Sequence, residues 1–196
     1  KRYDPISRTS AFVDYTYQVT EGNSVNSGSF YYNALSGEQE EKRIVPLAWD
    51  QRHILNTNLS IGDPRNWNMG IISKLSSGWP YTPNIPNANY VPQPNSGRKP
   101  WQWRIDMRVH KNFKIRNFNY LFFMKIYNLL DRRNERYVFN DTGRAGYTYV
   151  YQSTQETQGF KNHYGETGVH EWSEYQIRPQ YYTSPRSINI GFSLDF

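Results

Sequence analysis

Two carboxylate–histidine pairs are the first candidates for chemistry in this sequence: Asp106 with His110, and Asp50 with His53. A hydrolytic site needs a nucleophile, a histidine base and a carboxylate that orients the histidine, all within hydrogen-bond reach. On a strand, Asp106 and His110 would share a face about 13 Å apart, which is too far for a direct pair. We therefore expect these residues to line a polar surface, and we predict that the protein is not an enzyme.

Four potential metal ligands cluster further along the chain: His163, Glu166, His170 and Glu174. Their spacing fits no closed metal-binding motif, and the sequence has no cysteine to supply thiolate ligands. We expect solvated loop residues here, with no bound metal and no cofactor.

Basic residues are concentrated in the middle of the chain. Between residues 98 and 136 there are eleven lysines and arginines against three carboxylates, and the whole chain has a net charge of +6. A nucleic-acid-binding protein would cluster such charges with aromatic residues on one exposed face. Here several aromatics share a face with aliphatic residues, opposite the charges, so we expect no nucleic-acid partner. The alternation predicts that one polar face, the lumen lining of a barrel, carries Arg52, Lys74, Arg104, Asp106, Arg108, His110 and Lys125.

Aromatic residues make up 17% of the sequence, and many fall between the predicted strands. Aromatic rings on exposed loops can stack on sugars, on other ring-shaped ligands or on peptides. Loop packing and an aromatic girdle at a membrane surface are alternatives that the sequence leaves open. The candidate substrate-binding residues are Trp79, Tyr81, Tyr90, Trp101, Tyr147, Tyr149 and Trp172.

The elements that position these residues are segments in which large apolar and polar residues alternate, the pattern of a strand with one apolar face. In the last of them, Ile188, Ile190, Phe192, Leu194 and Phe196 alternate with small or polar residues. No stretch holds the ~18 apolar residues of a membrane helix. The sequence predicts an all-β protein with strands over residues 9–19, 51–62, 67–77, 103–113, 118–128 and 186–196.

The predicted connections alternate between short and long. Turns at 63–66 and 114–117 are short, whereas the loops over 20–48, 78–100 and 129–185 are long. In an antiparallel up-and-down sheet this puts all the short turns at one rim, as in bacterial outer-membrane barrels with their long extracellular loops. Ten tilted strand residues rise about 25 Å, the height of the apolar band of such barrels. The smallest single-chain barrels have about eight strands, so either this chain is part of a larger one or several copies share a barrel. We expect a segment of a larger transmembrane β-barrel.

Five motifs, in this order, resemble the last third of a TonB-dependent outer-membrane receptor. They are "PLAWDQRHILN" (46–56), "SGWPYTP" (77–83), "IDMRVHKNF" (105–113), "FFMKIYNLLDRRNERYVFNDTGR" (122–144) and "SPRSINIGFSLDF" (184–196). The resemblance spans nearly the whole chain from about Asp4. It implies that residues 1–196 are the C-terminal part of a 22-stranded barrel in the outer membrane of a Gram-negative bacterium, without the N-terminal plug.

The resemblance also implies a function and partners. Such a receptor imports a scarce nutrient, for example a ferric siderophore, with energy from TonB, which would act through the missing N-terminal part. Outer-membrane lipid, the imported small ligand and the barrel-assembly machinery are further partners, and a surface lipoprotein is one more candidate. The signal for barrel assembly would fall on Phe192, Leu194 and Phe196.

A soluble β-sandwich that binds carbohydrate or another ligand through aromatic loops is the alternative interpretation. Such a domain buries the apolar faces of two sheets against each other and mixes its connection lengths. The regular alternation of short and long connections favours the barrel.

Overall fold

The computed structural model describes residues 2–4, 8–23, 35–36, 43–84, 92–149 and 178–195. Within these residues the protein is all-β, as the sequence predicts. The strands are β1 Arg2–Asp4, β2 Thr9–Tyr17, β3 Glu21–Gly22, β4 Val45–Pro46, β5 His53–Asp63, β6 Trp67–Ser76, β7 Pro80–Tyr81, β8 Gly97–Arg98, β9 Gln102–Ile115, β10 Phe118–Tyr127 and β11 Ser187–Asp195.

One antiparallel sheet contains the long strands, in the order β1-β2-β5-β6-β9-β10-β11. Its six long strands correspond to the six predicted ones, and their described ends differ from the predicted ends by at most two residues. Each long strand pairs with the long strand that follows it in the sequence, which is the predicted up-and-down order. Among the described residues the sheet is open, since β1 pairs only with β2 and β11 only with β10.

The strand register separates an apolar face from a polar face. Residues directly opposite each other on antiparallel strands point to the same side of the sheet. One such row crosses all six long strands with apolar side chains only: Ala11, Leu59, Ile71, Met107, Ile126 and Ile188. The adjacent row, which points to the other side, holds only small, polar or charged residues: Ser10, Ser60, Gly70, Arg108, Lys125 and Asn189.

The two predicted short turns lie at one end of the sheet. Asp63 starts the first, where the Asn66 N–H donates to its carbonyl at 2.9 Å and Pro64 takes the second position, as expected from the sequence. The second joins β9 to β10 through Arg116 and Asn117 only. Arg116 adopts a left-handed conformation with φ 54°, which tightens this hairpin.

The long connections are more regular than predicted. The six prolines among residues 78–100 predict a connection without regular structure. In the structure, β7 and β8 form a short antiparallel ribbon there. A second ribbon, β3 with β4, lies within the connection predicted over 20–48. Each ribbon contains one proline, Pro46 in β4 and Pro80 in β7. Both lie in two-residue strands at the margin of a ribbon, where a missing N–H is tolerated.

Buried residues gather at the loop end of the sheet, and most of them are polar. We call this group the loop platform: Asp50, Gln51, Ser76, Ser77, Asn95, Asn128, Asn134 and Glu135. The apolar sheet face, by contrast, is not covered by any described element, and Val13 is 63% and Ile190 67% exposed. None of the helices in the described part of the chain has the length and apolar character needed to cross a membrane.

Candidate functional site

The polar sheet face carries six of the seven residues predicted to line a lumen. Register pairs Lys74 with Arg104, Arg108 with Lys125, and His110 with both Asn68 and Phe123. All of them therefore point to the side opposite the apolar rows.

Arg52 lies outside this face. The strand predicted to begin at residue 51 begins at His53, and Arg52 precedes it. Its guanidinium makes ion pairs with Asp50 and Glu21, each at 3.2 Å. Arg52 therefore belongs to the base of the loops and not to the strand rows, because the backbone enters the sheet only at the next residue, His53.

Asp106 has a fixed set of partners on the polar face. Its carboxylate accepts hydrogen bonds from Arg104 Nε at 2.8 and 3.1 Å and from the Asn128 backbone N–H at 2.8 Å. The last bond joins the middle of the face to the loop platform. His110, four residues along, contacts the Pro64 carbonyl oxygen through Nε2 at 3.2 Å. The structure thus does not join Asp106 to His110.

An open groove of about 850 Å³ runs along the middle of the polar face. Small residues form its floor, at Ser10, Ser60 and Gly70, and Arg108 and Lys125 border it on one side. Phe12, Ile72 and Tyr127 also line it, and they are apolar or aromatic residues on a mostly polar face.

Asp50 is the centre of the loop platform. It is completely buried, and its carboxylate accepts hydrogen bonds from the Thr20 N–H at 2.9 Å, from Arg52 Nε at 3.2 Å and from Arg98. Burial alone would raise the pKa of Asp50, but the hydrogen bonds from Arg98, Thr20 and Arg52 outweigh it and hold the pKa below its ordinary value. Because Arg98 lies in β8 and Thr20 precedes β3, this carboxylate fastens two long connections together.

A second acidic residue, Glu135, orders the segment that follows β10. Its carboxylate accepts a hydrogen bond from the Ala145 N–H at 2.6 Å and makes an ion pair with Arg144 at 2.8 Å. Asn134 next to it exchanges two side-chain hydrogen bonds, both 2.9 Å, with the backbone of Trp103. The motif around residues 128–145 is therefore a folded cap on the sheet end.

The five predicted substrate-binding aromatics that the structure describes do not form one site. Trp101 stacks on His53, with ring centroids 5.6 Å apart and planes 18° apart. The His53 ring also contacts Tyr17 at 5.1 Å, and its Nδ1 is 2.8 Å from the Tyr15 hydroxyl. Tyr17 is in register with His53, and Tyr15 lies on the same apolar face opposite Leu55. This arrangement favours the girdle alternative for Trp101 over substrate contact.

Tyr81 is a packing residue. A Cβ on Gly97 would lie 2.6 Å from its ring, and one on Gly143 would lie 2.3 Å from its hydroxyl oxygen, so the ring sits directly against both glycine backbones. Gly143 also has φ +67°, which side chains rarely permit. Burial, followed by the charge of Asp141, raises the pKa of Tyr81. The ring connects β7 to the cap after β10, which favours the loop-packing alternative.

Tyr147 and Tyr149 remain available to solvent. They meet edge to face at 5.7 Å and are 47% and 66% exposed. Trp79 is also exposed, while its carbonyl oxygen accepts the Lys99 N–H at 3.0 Å. Tyr90 and Trp172 lie outside the described residues.

The two described residues of the predicted assembly signal lie on the apolar face. Phe192 pairs with Phe122, and Leu194 pairs with Tyr120. Phe196 falls outside the described residues, as do His163, Glu166, His170 and Glu174. The part of the chain that the structure describes contains no cluster of three or more potential metal-ligating side chains.

Sequence reasoning placed Asp106, Arg108 and Lys125 of the groove on the polar face, but it missed the apolar groove residues and the role of the platform carboxylates. Phe12 and Ile72 carried a signal, since each is a large apolar residue at a polar position of an alternating strand. Asp50, Arg98 and Glu135 gave no such signal, because their partners are distant in sequence.

Comparison of this chain with protein-family models, with curated proteins and with solved structures finds no match.

Proposed function

We propose that this chain is part of the wall of a transmembrane β-barrel in a Gram-negative outer membrane, and that the barrel is a TonB-dependent receptor. The receptor imports a scarce nutrient such as a ferric siderophore. The observation that carries the proposal is the exposed apolar face, which runs without a break across all six long strands of the sheet.

Exposure of that face to water would be unfavourable. Each large side chain left in water forfeits about 1.5–3 kcal/mol of burial free energy. More than a dozen such side chains of the sheet are exposed, including Val13, Tyr15, Ile188 and Ile190. Lipid removes this cost. The soluble-sandwich alternative would need a second sheet over the same face, and no described element supplies one.

The two ends of the sheet differ, and the difference supports one orientation of the sheet in the membrane. The short turns after β5 and β9 lie at one end, and the ribbons, the cap and the loop platform lie at the other. Outer-membrane barrels have short periplasmic turns and long extracellular loops. Aromatic residues at the loop end of the apolar face, such as Tyr15, Tyr17 and Trp103, suit a girdle at the outer interface. The loop platform would then be extracellular.

The assignment to TonB-dependent receptors rests on the five sequence motifs. In this interpretation Asp50, within "PLAWDQRHILN", and Glu135, within the "NLLDRRNER" segment, hold the extracellular loops in place. Cargo would be gathered by the exposed loop aromatics, for which Tyr147 and Tyr149 are the best-placed described residues. TonB would act through residues outside this sequence.

Fractionation of cells that express the full-length gene product tests the proposal first. We expect the protein to sediment with the outer membrane, to require detergent for release, and to migrate faster in gels before heating than after. A protein recovered in the soluble fraction would contradict the barrel and restore the sandwich. The receptor assignment is tested separately, by nutrient uptake with and without TonB in the same strain.

A further inference from the structure

One basic residue lies on the apolar sheet face. Lys111 of β9 is in register with Trp67 on one side and with Phe122 on the other, and Phe122 is opposite Phe192. Elsewhere on this face, the described long strands carry no lysine or arginine. On a surface that faces lipid, a basic residue costs least near the interface. Lys111 meets this condition, because its row is the one in which β6 begins.

The Lys111 side chain reaches the end of the sheet with the short turns. Its Nζ donates a hydrogen bond to Asn66 Oδ1, in the turn between β5 and β6. An ammonium group has three N–H donors, and no described carboxylate forms an ion pair with this one. Lys111 is exposed, so two of its donors are available to an acceptor outside the protein. A lysine with its stem on apolar surface and its charge at the interface is in the snorkelling arrangement.

More positive charge lies at the same end of the sheet. Arg65 is in the first short turn, while Lys114 and Arg116 are in and beside the second, and all three are exposed. None of them forms an ion pair with a described carboxylate. The carboxylate of Asp63, where the first turn starts, is paired with Arg8. The described side chains of the short-turn end therefore carry a net positive charge.

Exposed aromatic rings flank the Lys111 charge. Trp67 and Phe122 are its direct neighbours across the strands, and both are exposed. Phe113, two residues along β9 on the same face, is also exposed and stacks on Tyr120, with ring centroids 5.3 Å apart and planes 8° apart. Aromatic rings of this kind gather where an apolar band meets the headgroups of a membrane. The surface thus offers rings to acyl chains and an ammonium group to a headgroup.

We propose that this end of the apolar face binds an anionic phospholipid, with the headgroup phosphate held by Lys111 and Arg65. The acyl chains lie against the Trp67 and Phe122 rings. Charge complementarity selects this occupant, since basic residues at a membrane surface attract anionic lipids. The inference rests on the proposed function, because it needs the apolar face to lie in a membrane. It deepens that function by naming the class of lipid and by placing the lipid in the leaflet nearer the periplasm, where the short turns would lie.

Titration of the full-length protein with phosphatidylglycerol, in a neutral detergent at low salt and followed by native mass spectrometry, tests this proposal. Phosphatidylcholine with the same acyl chains carries the same phosphate but no net charge. We expect the tightest phosphatidylglycerol site to bind about fivefold more tightly than phosphatidylcholine or better, because each lysine or arginine near an anionic headgroup adds attraction. The preference should shrink at high salt, which screens the charges.

Four variants separate this site from general charge effects. Lys111→Gln should weaken phosphatidylglycerol binding about fivefold and leave phosphatidylcholine binding unchanged, whereas Lys111→Arg should keep the preference. Arg65→Gln should cause a smaller loss, as the second cation. Lys114→Gln is the matched control, since it removes the same charge from the same strand but on the polar face, opposite Asn119. It should leave phosphatidylglycerol affinity within about twofold, as expected for a charge outside the site. The gel mobility of unheated samples shows that each variant has folded.

Equal affinity of the wild type for the two lipids, or an undiminished preference in Lys111→Gln, would overturn the proposal. Equal losses in Lys111→Gln and Lys114→Gln would do the same, because only the overall charge would then matter. Displacement of phosphatidylglycerol by inorganic phosphate would also contradict it, since the site would then need no lipid. In each of these cases the protein still sediments with the outer membrane, whereas failure of the proposed function would appear as a soluble protein.

Discussion

The apolar sheet face and the loop platform differ in a way that reverses the usual arrangement of a water-soluble domain. The sheet exposes large side chains such as Val13 and Ile190, whereas the platform buries Asp50, Asn134 and Glu135. Few apolar residues of the described chain are buried, and Val45, Val138 and Ala145 among them lie in the loops. In the proposed barrel the two regions would be stabilised by different forces: backbone hydrogen bonds and lipid for the sheet, and hydrogen-bonded charges for the loops.

Among the substitutions that test this difference, loss of the buried Asp50 carboxylate should lower the free energy of unfolding most. Asp50→Ala leaves Arg98 and Arg52 without their shared partner, and breaking a buried pair costs about 3–5 kcal/mol. We expect the free energy of unfolding to fall by the lower part of this range, since both arginines reach solvent. Guanidinium unfolding of the full-length protein in lipid vesicles measures it.

Glu21→Ala is the matched control for that prediction. Glu21 pairs with the same Arg52 at the same distance of 3.2 Å, but it is exposed. Exposed pairs contribute about 0–1 kcal/mol. A similar loss of stability in the two variants would show that the burial of Asp50 is not what distinguishes the platform.

A charge on the apolar face should cause the next largest loss of stability. Ile190→Arg places a guanidinium near the middle of β11 on that face, where an arginine at the bilayer midplane costs about 2–4 kcal/mol. Asn189→Arg, one residue earlier, points to the polar face and should cost much less. Comparison of the two variants in vesicles tests the face assignment, and equal losses would contradict it.

The sheet could be predicted from the sequence because the residues that specify each strand and each short turn are close together in the chain. Alternation along each strand, as in Ile188, Ile190 and Phe192, specifies both the strand and its apolar face, and "DPRN" specifies the turn that sets the register of β5 and β6. Side-chain alternation has a period of two, so a register error would have mixed the two faces. The faces of all six long strands match the predicted alternation.

The loops and the groove could not be predicted in the same way because their contacts are distant in sequence. Asp50 meets Arg98 across 48 positions, and Trp103 meets Asn134 across 31. The prolines of residues 78–100 argued against strands, but tertiary contacts around Tyr81 overrode that local preference. The groove depends on the neighbourhood of Gly70 and Arg108, which only the strand register reveals.

Acid should weaken the platform selectively. The pKa of Asp50 is held below its ordinary value of 3.8 because the hydrogen bonds from Arg98, Thr20 and Arg52 outweigh the effect of burial. A carboxylate with a depressed folded pKa stabilises the protein above its unfolded pKa, and this contribution disappears as the pH falls through the folded pKa. The difference in melting temperature between wild type and Asp50→Asn should therefore stay constant above about pH 5 and shrink below about pH 4. A difference that vanishes already near neutral pH would contradict this assignment.

The smallest expected effect concerns the aromatic residues where the two regions meet. Trp101 stacks on His53 beside Tyr17, at the loop end of the apolar face. Because an aromatic pair contributes about 0.5–1.5 kcal/mol beyond its buried area, Trp101→Ala should lower stability by about 1 kcal/mol. Nutrient uptake should not change if the ring belongs to the girdle, as we propose, and not to the cargo site.

Tyr149→Ala is the opposite case. The exposed Tyr149 ring meets Tyr147 edge to face, and its backbone N–H donates to Asp141. We expect Tyr149→Ala to reduce uptake with little change in melting temperature. If Trp101→Ala reduced uptake at unchanged stability, the substrate-binding prediction for Trp101 would be correct. The aromatic girdle would then include Tyr17 but not Trp101.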